Sequence, residues 1–303
     1  MKSLVRTFAA VAAVAVVLTG CSGGDTTDPL ASGGGTGSVV VGSANFPENV
    51  LLAEIYAQAL ESTGVDVTRR FNIGSREIYY DQVVSGGLTV LPEYNGGALL
   101  ARVNPDSGAG TTDDVNAALR DSLPEGVEIL DSASAENKDA VVVTQETADR
   151  YNLESIADLA PVAGEFAIGA APEFETRQHG LVGMKEVYGV EFRQFVPTDT
   201  GGPITIAALE DGTVQAANIF TTDPSLSTKP FVALSDPQSL FSAQNVTPLV
   251  HRADLSDEAV ATLNEVSAQL STEDLIVLVG QVVTDGGDID VVAAEWLQSA
   301  GIG

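Results

Sequence analysis

The residues best equipped for chemistry gather in six short turns, each joining a charged or hydrogen-bonding group to glycine, proline or an aromatic ring. They read Asn45-Phe46-Pro47-Glu48, Gly74-Ser75-Arg76-Glu77, Pro92-Glu93-Tyr94-Asn95-Gly96, Pro172-Glu173-Phe174-Glu175-Thr176-Arg177, Asp199-Thr200-Gly201-Gly202-Pro203 and Thr221-Thr222-Asp223-Pro224. If such turns face one another across two lobes, they form a cleft for a small solute. Each turn alone is better explained by ordinary capping, since Glu48 can serve a helix dipole, Ser75 and Asn95 can cap, and Gly201-Gly202 can turn the chain; the six together point to a site. Catalysis has little support. Glu173 and Glu175 are paired acids, but they flank a loop with no nucleophile and base beside them. One cysteine and two histidines, His179 and His251, are too few for a thiolate cluster or a histidine-based metal site. No enzyme activity and no cofactor are expected.

The elements that must position these turns alternate. Ser38–Gly42 is a β-branched run, and Leu51, Leu52, Ile55, Tyr56, Ala59 and Leu60 form a helical stripe from Pro47 that ends at Gly64. Strands over 65–71 and 88–91 and helices over 75–85 and 96–103 continue the pattern, which implies a mostly parallel, doubly flanked α/β sheet. A second series has strands over 140–144, 166–169, 191–195 and 215–220, with helices over 178–188 and 203–210. A strand over 246–251 and helices over 257–270, 272–283 and 288–300 follow. In such sheets the ligand-facing edge lies at the carboxyl ends of the strands, where most of these turns fall.

Before this body, residues 1–21 read as a signal peptide: Lys2 and Arg6, an apolar run from Phe8 to Leu18, then Leu18-Thr19-Gly20-Cys21, which resembles a bacterial lipobox. Cys21 is thus the expected lipidation site. Residues 22–37 have the Gly/Ser/Thr composition of a flexible linker. These features predict an exported protein, lipid-anchored at the outer face of the bacterial cytoplasmic membrane. The 14 Lys+Arg against 42 Asp+Glu give a net charge of −28, a field that repels phosphate backbones and excludes nucleic-acid partners.

Gly42-Ser43 with Asn45-Phe46-Pro47-Glu48, Ile73-Gly74-Ser75, Pro92-Glu93-Tyr94-Asn95-Gly96, Ala171-Pro172-Glu173-Phe174 with Arg177 and Gly180, Val187-Tyr188-Gly189-Val190-Glu191-Phe192 and Phe220-Thr221-Thr222-Asp223 occur in one order. In these motifs the chain resembles the substrate-binding proteins of ABC importers for glycine betaine, choline and related osmoprotectants, over about Val39 to Gly301. The resemblance implies a two-lobed type II periplasmic-binding fold, with lobe 1 over 38–134 and 237–303 and lobe 2 over 135–236. It also implies a protein that closes on its solute and delivers it to a permease and an ATPase, and, with nothing in the sequence to suggest an oligomer, a monomer is expected.

That family holds a quaternary ammonium among aromatic faces, because a trimethylated cation has no N–H to donate and π-faces attract it. By the same resemblance Tyr80 matches one cage position and Phe220 replaces a second tyrosine, whereas Asp139 and Ile206 stand where aromatics are expected. Arg177 matches an arginine that binds a ligand carboxylate, though an ion pair between lobes suits it too. Tyr94 can line the cleft floor or pack beneath it, and Asp139 can attract a cation, accept from hydroxyls or cap a turn. The expected ligand-binding set is Phe46, Glu48, Tyr80, Tyr94, Asp139, Phe174, Arg177, Phe220 and Asp223. Two alternatives stay open: the same fold with a changed ligand (polyol, sugar or aromatic polyphenol), or a sensing or scaffolding lipoprotein that transports nothing.

Overall fold

A computed structural model of the chain describes residues 38–104 and 107–303. The expected leader, Cys21 and the linker lie outside the described residues. Among the described residues ten strands occur, in the order β1 (Ser38–Gly42), β2 (Asp66–Arg70), β3 (Val90–Tyr94), β4 (Val127–Ile129), β5 (Asp139–Thr144), β6 (Ala167–Ala170), β7 (Gln194–Pro197), β8 (Ala216–Phe220), β9 (Phe231–Ala233) and β10 (Val246–His251). They form two five-stranded sheets, ordered β2-β1-β3-β10-β4 and β7-β6-β8-β5-β9.

The sheets share one plan. Three neighbouring strands pair in parallel, and the next, β10 in one sheet and β5 in the other, runs antiparallel to both of its neighbours. Each sheet is therefore mixed, because its reversed strand is the one that connects directly to the other sheet. From β4 the chain crosses through residues 130–138 into β5, and from β9 it returns through 234–245 into β10. The crossings run side by side: Asn137 N–H donates to the Gln244 carbonyl (3.1 Å) and Val246 N–H to that of Ala135 (3.0 Å).

Both faces of each sheet are covered, as their apolar runs require. Helix Pro47–Ser62, buried along most of its length, packs with the three C-terminal helices (Asp257–Gln269, Thr272–Val283, Ile289–Ala300) on one face of the first sheet, where Trp296 is core. Tyr79, Tyr80, Leu88, Leu99 and Leu119 fill the other face. Around the second sheet, Phe166, Phe174 and Met184 pack on one side and Leu209, Val214 and Ile219 on the other.

One expected turn is a strand. Pro92-Glu93-Tyr94 extends β3 beyond 88–91, opposite Val246 to Pro248 of β10, although proline normally weakens a central strand. Pro92 faces Pro248 across this pair. The Pro92 carbonyl points away from β10 and accepts from Asn49 Nδ2 at 2.8 Å, so no ladder donor is lost there.

Candidate functional site

Several strand ends and turns meet over the crossing segments around a cavity of about 60 Å³. Phe46, Tyr79 and Tyr94 line it from the first sheet's side, Phe174 and Phe220 from the second's, and Asn137 and Gln244 from the two crossings. Phe46 precedes Pro47, which forces it into extended backbone (φ −137°, ψ 151°) at the head of helix Pro47–Ser62. Its ring lies 6.1 Å from Tyr94 and 5.4 Å from Phe220, making an aromatic row that spans the cleft. Gly201, at φ +65°, passes against Phe220, where a Cβ would lie 3.2 Å from the ring.

Strand register places the carboxylate beside that row. Asp139 opens β5 directly opposite Phe220 at the end of β8, so both side chains share a face. Asn218, two residues before Phe220, is on that face too and donates from Nδ2 to Asp139 at 3.0 Å. Burial raises the Asp139 pKa above its ordinary value, against the lowering effects of Asn218, Arg177 and Arg76.

Two guanidinium groups reach the wall, and both are occupied. Arg177 gives its fork to Glu77 at the start of helix Arg76–Val84 (Nε to Oε1 3.0 Å, Nη2 to Oε2 2.9 Å), an ion pair between the two sheets' turns. Burial alone would raise Glu77, but the Arg177 hydrogen bonds and charge outweigh it and hold the carboxyl down at about 2. Arg76 pairs with the fully buried Glu93, which also accepts from Tyr79 Oη at 3.1 Å and from Tyr94 N–H at 2.9 Å. His179 is buried on the wall with Nδ1 unpartnered among the described residues. Burial, then the Arg177 and Arg76 charges, keep its imidazole neutral.

Six of the expected residues therefore meet at the cavity: Phe46, Tyr94, Asp139, Phe174, Arg177 and Phe220. Tyr80 does not. It points into the core beside Leu88 and Leu99 with the Arg102 guanidinium 5.1 Å from its ring, and Tyr79, one residue and about 100° earlier on the helix, faces the cavity instead. Asp223 folds its own turn, accepting from Ser225 N–H at 2.8 Å. Ile206 packs with the Leu209 cluster.

Glu48 lies behind the wall as a strut. Its carboxyl accepts from Tyr94 Oη, Asn137 Nδ2 and Thr222 Oγ1, joining the first sheet, a crossing segment and the second sheet's turns. Burial raises it above its ordinary 4.5, outweighing the hydrogen bonds from Thr222, Tyr94 and Asn137, which lower it. A carboxyl raised on folding contributes its full stability below the unfolded pKa and loses it as pH rises through the folded one. The wild type should thus lose urea stability relative to Glu48→Gln as pH rises from the ordinary carboxyl value of 4.5 through the raised folded pKa. Parallel pH profiles of the two proteins would refute this.

Tyr79 and Asn218 are lining residues that the motifs alone did not single out. Their spacing holds the clue: Tyr79 is i+3 from Arg76 on one helix face, and Asn218 is i−2 from Phe220 on one strand face. No sequence pattern marks His179.

Two mixed sheets joined by paired crossings, with an aromatic-lined cavity over those crossings, define a type II periplasmic-binding protein. Residues 37–299 match the family described as the substrate binding domain of the ABC-type glycine betaine transport system, and the chain belongs to that family. Its members are extracytoplasmic solute-binding proteins that work with an ABC permease and ATPase. The chain is 29% identical over 286 residues to the glycine betaine-binding protein YehZ of Escherichia coli (strain K12), covering 87% of this chain and 90% of that one. It is 23% identical over 277 residues to the carnitine transport binding protein OpuCC of Listeria monocytogenes serotype 1/2a (strain 10403S), covering 89% of each. A crystal structure of a glycine betaine/carnitine/choline ABC transporter superposes with a TM-score of 0.67 at 22% identity, covering 87% of this chain and 99% of that one.

Proposed function

We propose that this protein captures a small quaternary ammonium solute in the cavity between its sheets and hands it to an ABC importer. The carrying observation is the aromatic row Tyr94-Phe46-Phe220 drawn from both sheets, with Asp139 in register beside it. Such a cation gains from π-faces and from a negative charge, and makes no demand for hydrogen-bond acceptors. Capture runs by closure: the solute meets one lobe (38–134 and 237–303), then the turns of the other (135–236) complete the shell. The protein acts as a monomer tethered through lipidated Cys21, and no catalytic step is involved.

Calorimetric titration with choline, glycine betaine and carnitine tests the reading. Phe46→Ala and Phe220→Ala should each weaken the bound solute roughly 3- to 30-fold, the value of one cation–π face. Failure of all three solutes to bind would refute it. A second reading, a hydroxylated solute such as a polyol or sugar, is favoured by the polar wall groups Asn137, Asn218, Thr200 and Gln244, and the same titration extended to these compounds separates the two.

A further inference from the structure

We infer that Glu77 is a specificity-determining residue, an internal carboxylate that fills the Arg177 fork and leaves the cavity selective for cationic solutes without a carboxylate. This deepens the quaternary ammonium reading and rests on it. The Arg177–Glu77 contact is the parallel two-bond geometry that a ligand carboxylate would itself adopt, so the two compete for one fork. Arg76, the other guanidinium on the wall, is held by buried Glu93 in the same way. His179 adds no positive charge, since its buried imidazole is neutral.

Against these two neutralised cations stand Asp139 and Glu173 on the wall, neither of them in an ion pair among the described residues. An entering trimethylammonium group meets π-faces and uncompensated carboxyls. An entering carboxylate meets like charge unless it expels Glu77. Glu77 is partly exposed, with 36% of its side chain open, so expelling it is possible, but the exchange trades one carboxylate for another and gains nothing in the fork.

The test is calorimetric titration of the purified protein with choline chloride and with glycine betaine, for the wild type and for Glu77→Gln. Wild type should bind choline at least about tenfold more tightly, and Glu77→Gln should narrow that ratio at least about tenfold by strengthening betaine binding. Thermal unfolding of the ligand-free variant checks its fold, and if the variant does not fold the wild-type ratio decides. Wild-type binding of betaine as tight as that of choline, or an unchanged ratio in a folded Glu77→Gln, overturns the inference and leaves the quaternary ammonium reading intact. Binding of neither solute overturns both.

Discussion

Replacing Glu93 by alanine should cost about 3–5 kcal/mol of folding stability, the penalty for stranding a buried charge. Glu93 is fully buried in β3 and is the ion-pair partner of Arg76, whose side chain is only 10% exposed; it also accepts from Tyr79 Oη and Tyr94 N–H. Without it, the guanidinium, the phenol and the amide lose one acceptor together. The urea midpoint should fall at an unchanged slope, since the surface exposed on unfolding stays nearly the same. The pair itself is a smaller matter than its breakage: Arg76→Met combined with Glu93→Leu removes both charges and should lose far less than Glu93→Ala alone. A Glu93→Ala cost below about 1 kcal/mol would mean that Arg76 escapes to water.

Asp139→Asn should weaken binding of a quaternary cation roughly ten- to thirtyfold. At about 5 Å and an effective dielectric of about 20, one unit charge pair is worth about 3 kcal/mol, and desolvating the carboxylate takes back part of it, leaving about 1.4–2 kcal/mol. The substitution keeps the shape of the side chain and an oxygen for Asn218 Nδ2, so the stability should change little. The pH dependence supplies the sharper readout. Burial holds the ligand-free Asp139 pKa above its ordinary value, and a cation binds the ionised form. Wild-type affinity should therefore rise with pH until that raised pKa is passed and then level off, whereas Asp139→Asn should show no such rise. Equal affinities for wild type and variant across the range would remove Asp139 from the binding site.

These two acids show how differently the chain discloses its parts. The alternation of β-branched runs with helical stripes, and the proline-headed helix starts at Pro47 and Pro203, locate most strands and helices within a few residues. The strands β4 and β9 escape such reading because they have three residues each, and helix Thr112–Ser122 because Val115 and Leu119 are the main apolar marks of its buried face in an otherwise polar run. Pro92 hides the end of β3 for another reason: proline argues for a turn, and only the absence of a ladder partner on its open side makes a strand acceptable there.

What the sequence by itself determined is the family's two-lobed α/β plan and most of the turns around the cavity, since hydrophobic period and turn chemistry are local properties of neighbouring residues. What only the tertiary structure decided is each side chain's direction and partner. Tyr79 and Tyr80 differ by one helical step and both are buried, so periodicity cannot say which ring meets the solute. Arg177 and Glu77 are a hundred positions apart, and Glu48 and Thr222 are 174 apart. Whether an arginine greets a ligand or a carboxylate of its own chain depends on which groups the two crossings bring within 3 Å, and no local pattern encodes that distance.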